Sequence, residues 1–330
     1  MLAVAPLLAA CGRDAQRAGP PPAVPAEVFP MAVDHKYGTA TIPAPPVRVV
    51  TVGLTDHEAA IAVGVVPVGV TAWYGDAPGQ IFPWASEAFG DNELPTVLSA
   101  TELEVEQIAA LEPDLIIGQY TGLTEEQYGL LTRIAPTVAQ PADFPDYAAP
   151  WDVMATTIGT VLGRAEQMQG VVDDVSARID AAAAAHPEFA GKQAVVALPY
   201  EGMYVLGPED PKTDLLLRLG FDYPEEVFPY TEGREAGTQF SGESVPDLDE
   251  LDLVMWLSLD GTQTEEVFET TDVAAEGRFL SIEEEDGSLY GVAINYYTPL
   301  SIPYVLDRLV PQLAAAIDGD PATRVPVAVD

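Results

Sequence analysis

The sequence predicts an α/β protein of two lobes, each with a mainly parallel sheet, joined by one long helix. Three observations carry this. Short β-branched runs alternate with helical segments from residue 48 to 139. A stretch without proline, 151–185, repeats apolar residues at helical spacing. The strand–helix alternation then resumes at 194–198, AVVAL. Alternation of this kind builds parallel sheets covered by helices.

Each element follows from its residues. Residues 33–43, VDHKYGTATIP, alternate around a turn at 36–38 and read as a β-hairpin. Residues 48–52, RVVTV, form a short strand ending at Gly53. DHEAAIAVG, 56–64, is helical, with Asp56 as N-cap and Gly64 as C-cap. VVPVGVT, 65–71, is the next strand. A helix over 103–111 leads to the strand LIIG at 115–118, and a helix over 125–134 leads to an extended piece at 137–139. In 151–185 the apolar residues Met154, Ile158, Val161, Leu162, Met168, Val171, Val172, Val175 and Ile179 mark one helix of roughly 50 Å at 1.5 Å per residue, a strut between lobes. Beyond it come the strand 194–198, a helix over 213–219 capped by Gly220, a strand over 253–257, and a terminal helix over 304–317. The expected boundaries are 1–10 for a signal peptide, 11–28 for a tether, 29–148 for the first lobe, 149–186 for the interlobe helix and 187–330 for the second lobe.

The N-terminus poses a separate question. MLAVAPLLAAC places the only cysteine of the chain, Cys11, after ten uncharged residues, and a Pro/Ala-rich stretch follows. One cysteine makes no intrachain disulfide. The apolar run is too short to span a bilayer, which needs roughly 20 residues, but fits the core of a secretory signal. Leu8-Ala9-Ala10-Cys11 resembles the bacterial lipobox. That resemblance implies cleavage before Cys11, lipidation of Cys11 and an exported protein held at the outer face of the cytoplasmic membrane. Residues 12–28 then serve as a flexible tether.

Net charge is −38, from 52 acidic and 14 basic residues. A nucleic-acid partner is excluded on that balance, because phosphate binding needs a basic face. The hydrophobic share of 48% supports sizeable cores and excludes global disorder.

The order PVRVVTVG, DHEAAIAVGVVPVGV, EVEQIAALEPDLIIG, LLTRIAPTV, then IGTVLGR and the acidic block GESVPDLDELDLVMW resembles the substrate-binding proteins of bacterial ABC importers for iron–siderophores and vitamin B12. The likeness runs over residues 30–318. DHKYGTATIP and WYGD are most similar to the actinobacterial iron–siderophore branch. The resemblance implies two Rossmann-like lobes on a helical backbone, a largely preformed site, and no resident cofactor. It implies a monomer that captures a ferric siderophore and delivers it to an ABC permease dimer with ATPase subunits. Two glutamates dock such proteins onto permease arginines. They fall here on Glu106 of EVEQIAAL and Glu243 of FSGESV, with Glu102 and Glu104 as near competitors.

Ligand contacts are expected at strand C-termini, where loops converge. These are Trp73, Tyr74, Trp84 and Tyr120 in the first lobe, and Tyr200, Tyr204, Arg234, Trp256, Tyr296 and Tyr297 in the second. Trp256 sits within an apolar strand and is the weakest of them. Aromatic side chains bury large area at low entropic cost, and Tyr keeps a hydroxyl for chelate oxygens. Basic residues near these loops are few: Arg234, Lys212 and Arg278. A neutral or cationic ferric hydroxamate therefore fits better than an anionic tris-catecholate, which calls for several cations. Alternatives are a haem or cobalamin receptor of the same fold, or a signalling or structural lipoprotein. A zinc or manganese site is disfavoured. The chain has three histidines: His35 in the hairpin, His57 at a helix start on the lobe surface, and His186 at the end of the long helix. No G-x-S-x-G elbow, P-loop or dinucleotide fingerprint points to an enzyme.

Overall fold

β1 (Met31–His35) and β2 (Gly38–Ile42) form the antiparallel hairpin that the alternation predicts. The computed structural model describes residues 28–230, 237–258, 263–283, 288–318, 322–323 and 325–326. The first lobe then runs β3 (Val49–Thr51), α1 (Asp56–Ala62), β4 (Gly69–Thr71), α2 (Ser86–Phe89), β5 (Thr96–Leu98), α3 (Val105–Ala110), β6 (Leu115–Ile117), α4 (Glu125–Leu131) and β7 (Thr137–Val138). Its sheet has the order β5-β4-β3-β6-β7 with every pair parallel. The chain steps outward from β3 to β4 and β5, then returns to the other side at β6. The crevice above the C-terminal ends of β3 and β6 is therefore a topological switch point, where open α/β sheets bind ligands.

The expected single strut is two helices, α5 (Trp151–Val161) and α6 (Ala165–Ala185). Gly163 sits at φ 69°, a left-handed conformation that ends α5. A Cβ on Gly159 would lie 2.3 Å from the Met168 Cβ, so the two helices fold back into close contact. On one straight helix these nine-residue neighbours would stand about 13 Å apart. The apolar spacing was right for both helices, but periodicity does not register a one-turn corner. α5 packs on α1 of the first lobe, and α6 packs on the second.

The second lobe comprises β8 (Ala194–Leu198), β9 (Met203–Leu206), α7 (Pro211–Arg218), β10 (Gly237–Phe240), a 3-10 segment Gly242–Glu250, β11 (Leu253–Ser258), α8 (Gln263–Phe268), α9 (Asp272–Ala275), β12 (Phe279–Glu283), α10 (Leu289–Tyr296) and α11 (Ser301–Ala316). The sheet order is β10-β9-β8-β11-β12. β8, β11 and β12 are parallel, β9 runs antiparallel to β8, and β10 pairs antiparallel to β9 at the edge. Its switch point lies between β8 and β11.

The largest apolar core crosses the lobe boundary. It runs from Val49, Leu115 and Val138 through Trp151, Ile158, Met168 and Val175 to Val196, Leu253 and Leu313. Separate clusters under the other face of each sheet complete the lobes.

Candidate functional site

α1 begins at the switch point of the first lobe, and its first three residues, Asp56, His57 and Glu58, are all buried. The expected N-cap role for Asp56 falls instead to Thr55, which makes no side-chain cap bond. Asp56 uses both carboxylate oxygens across the crevice, accepting from the N–H of Gln119 at 2.7 Å and of Tyr120 at 3.0 Å. This ties the β3 end to the β6 end. Burial raises the Asp56 carboxyl to about 6, with the two N–H groups acting against it. His57, expected on the surface, has 0% exposure. Its Nε2 lies 3.1 Å from the Gln80 carbonyl, and burial lowers its pKa to about 4.

Glu58 joins the lobes. One oxygen accepts from Trp84 Nε1 at 2.6 Å, and the other accepts from the Thr298 hydroxyl of the second lobe. Burial lifts the Glu58 carboxyl to about 7, against the pull of these two hydrogen bonds. Thr298 Oγ1 also accepts from the N–H groups of Leu300 and Ser301, closing the first turn of α11. Around this carboxylate the Tyr296 hydroxyl donates to Gln80 Oε1 at 2.7 Å, and Trp73 Nε1 donates to the Asn295 carbonyl at 3.2 Å. Trp84 stacks on Phe82 with centroids 4.8 Å apart, and Tyr296 meets both rings edge-on.

Three residues expected to contact ligand are thus engaged in bolting the lobes together. Tyr296 is 1% exposed, and Trp73 and Trp84 give their indole N–H groups to interlobe and buried acceptors. The sequence marks them as aromatics after a strand, which an interdomain core also requires. Tyr74 packs edge-to-face on Trp73, centroids 4.7 Å apart, and remains partly exposed. Tyr297 is buried, in a left-handed conformation at φ 50°, and its hydroxyl has no partner. Trp256 stacks on Phe268 inside the second-lobe core.

Tyr120 stays at the switch point. Its phenol is held well above the usual value by burial and by the negative charge of Asp210, the buried N-cap of α7 in the second lobe. Its ring meets Tyr147 edge-on at 5.7 Å. Tyr204 lies half-buried on β9, and Tyr200, after β8, is exposed. Arg234 and Cys11 lie outside the described residues. Glu106 is exposed in the first turn of α3, and Glu243 is exposed in the first turn of the 3-10 segment, one on each lobe. Of their competitors, Glu104 is taken up locally, accepting from Ser99 N–H at 2.7 Å. Sequence reasoning missed Glu58, Asp210 and Tyr147. Nothing in the sequence sets Glu58 and Asp210 apart from the other acidic residues of the chain. Tyr147 stands in a Pro/Asp/Ala loop before a helix, not after a strand.

Arg278 donates to Glu276 and to the carbonyls of Leu251 and Asp249, which removes it from the cleft. Arg218 bridges Asp152 and Asp214. Among the described residues no group of three or more His, Cys, Asp or Glu is placed to hold a metal ion, and no helix is long and apolar enough to cross a membrane.

The chain is 32% identical over 224 residues to a Bacillus subtilis protein named probable siderophore-binding lipoprotein YfiY, covering 66% of each chain. It is 28% identical over 207 residues to the Fe(3+) dicitrate-binding periplasmic protein FecB of Escherichia coli, covering 59% of this chain and 63% of the relative. The alignments therefore span just under two thirds of these curated relatives. A periplasmic solute binding protein from Mycobacterium smegmatis superposes with a TM-score of 0.72 at 32% identity, over 87% of this chain and 98% of that one. Streptococcus pneumoniae PiaA, solved in complex with ferrichrome, shares the fold at a TM-score of 0.74 and 24% identity, over 88% and 99%. With the profile of periplasmic binding proteins matching residues 49–274, this chain belongs to the periplasmic binding protein family.

Proposed function

We propose that the protein is an extracytoplasmic receptor that captures a ferric siderophore and hands it to an ABC importer. The observation that carries this is the 32% identity to a relative named as a siderophore-binding lipoprotein. The two switch-point crevices, one on each lobe, supply the binding surfaces, with Tyr120 in the first lobe and Tyr204 and Arg234 in the second as ligand contacts. Tyr74 flanks the first crevice.

The preferred cargo is a neutral or cationic hydroxamate chelate. Arg278 and Arg218 are already engaged by protein acceptors. Asp56 and Asp210 put negative charge around Tyr120. A tris-catecholate complex would meet repulsion from these carboxylates. Glu106 and Glu243 carry the docking role, each exposed on its own lobe and able to meet a permease arginine. Cys11 carries the lipid anchor. Capture and delivery make and break no covalent bond on this chain. The lobes hold the chelate, and ATP hydrolysis by the importer drives release.

Titration of the protein from residue 12 onward with ferrioxamine B, ferrichrome, a ferric catecholate, haem and cobalamin, read by tryptophan quenching, tests this. Saturable binding of a hydroxamate at micromolar Kd or tighter is the expected result. Tighter binding of the catecholate removes the hydroxamate assignment. Binding of haem or cobalamin with no response to any iron chelate removes the siderophore reading altogether.

A further inference from the structure

The first-lobe switch point holds a cavity of about 110 Å³ over the ends of β3, β4, β5 and β6, lined at its base by Leu54, Leu98 and Thr121. One wall is Tyr147, a residue that no strand-end pattern selects. Three features make it unusual. It is a large aromatic side chain left 43% exposed. It sits at φ 64°, a region that bulky residues rarely adopt and that concentrates at ligand-binding positions. Its ring stands edge-on to Tyr120, interplanar angle 83°. A Cβ on Gly122 would come within 2.9 Å of the Tyr147 ring, so the loop after β6 leaves room for that ring by carrying glycine.

A folding role would bury such a ring. Here the fold instead spends an unfavourable backbone conformation and a bare glycine on presenting it to solvent above a cavity. Glu102 and Glu104 also line the cavity, the latter anchored on Ser99 N–H. Carboxylates there repel an anionic group and accept a neutral or positively charged one.

We propose that Tyr147, held edge-on by Tyr120, contacts the ligand and closes a first-lobe subsite that takes an uncharged or cationic arm of the cargo. This rests on the ferric-chelate function above. The ring supplies flat apolar area at low entropic cost, and the T-shaped pair holds both rings in place.

Calorimetric titration of wild type, Tyr147→Ala and Tyr147→Phe with ferrioxamine B and with ferric dicitrate tests it, alongside the Tm of each protein. The expected result is a loss of tenfold or more in ferrioxamine affinity for Tyr147→Ala, wild-type affinity within threefold for Tyr147→Phe, and Tm values unchanged. Wild type should bind ferric dicitrate at least tenfold more weakly than ferrioxamine B. Ferrioxamine affinity within twofold of wild type in Tyr147→Ala overturns the proposal while leaving the receptor function standing. So does an equal loss in Tyr147→Phe, or tighter binding of ferric dicitrate. Wild type that binds neither chelate overturns this subsite, and silence with ferrichrome and a ferric catecholate as well overturns the receptor function.

Discussion

Glu58 shows how one buried side chain can set a pH dependence. Its carboxyl is raised from 4.5 to about 7, chiefly by burial. The folded state therefore binds more protons than the unfolded chain between those values. Stability from this group is fully present below about pH 4.5 and falls as pH rises through 7. The shift corresponds to about 3 kcal/mol. His57 acts in the opposite sense: buried neutral with a pKa lowered to about 4, it costs stability as pH falls from 6.5. Comparing wild type with Glu58→Gln isolates the carboxyl. Chemical denaturation from pH 5 to 8 should show wild type losing roughly 2–3 kcal/mol relative to the variant; parallel curves would mean that Glu58 does not titrate in this range. Thr298→Val should cost about 1–3 kcal/mol at pH 8, because it strips a donor from a buried carboxylate and opens the first turn of α11. Unfolding midpoints measure it directly.

At the scale of elements, the α5–α6 corner is the clearest test of packing. Gly159→Val would drive two methyl groups into Met168 and should cost about 1–3 kcal/mol, or more if α6 cannot shift. A Tm equal to wild type would show that the corner is loose. The same corner shows what the sequence could and could not say. The strands AVVAL, LIIG and RVVTV, the hairpin and the helices at 56–62 and 125–131 were legible because burial on two faces or one imposes a period. β9, β10 and β12 were not, since strands of four or five residues, two of them at the sheet edges, carry little pattern. The break at 162–164 was missed because both helices keep apolar spacing through it. At the site, Tyr120 lies at the strand-end crevice that its position after LIIG predicts, and Glu106 and Glu243 are exposed, one on each lobe. Trp73, Trp84 and Tyr296 make interlobe and buried hydrogen bonds, because an aromatic after a strand serves an interlobe seam as readily as a ligand. Only the partner of each indole N–H decides between them, and that partner is more than 200 residues away for Trp73.

The whole molecule should behave as one cooperative unit. Its main core runs through both lobes and both linking helices, and Glu58, Gln80 and Trp73 fasten the α10–α11 turn to the first lobe. Scanning calorimetry should give a single transition with calorimetric and van't Hoff enthalpies in agreement. Two resolved transitions would mean that the seam contributes little. On the outer surface, Glu106→Ala with Glu243→Ala should leave ferrioxamine binding unchanged. In vesicles carrying the importer the pair should abolish stimulation of ATP hydrolysis, since a desolvated docking charge is worth about 2–5 kcal/mol. Stimulation at the wild-type level would remove the docking role.

The first-lobe sheet ends on strands of three and two residues, β5 and β7. Such edges offer a passing chain only one or two main-chain hydrogen bonds, too few to seed intermolecular pairing. In a chain of net charge −38, copies also repel one another. Copies of this chain are thereby protected from one another. The protein should remain monomeric and clear when concentrated after partial unfolding, until salt screens the charge.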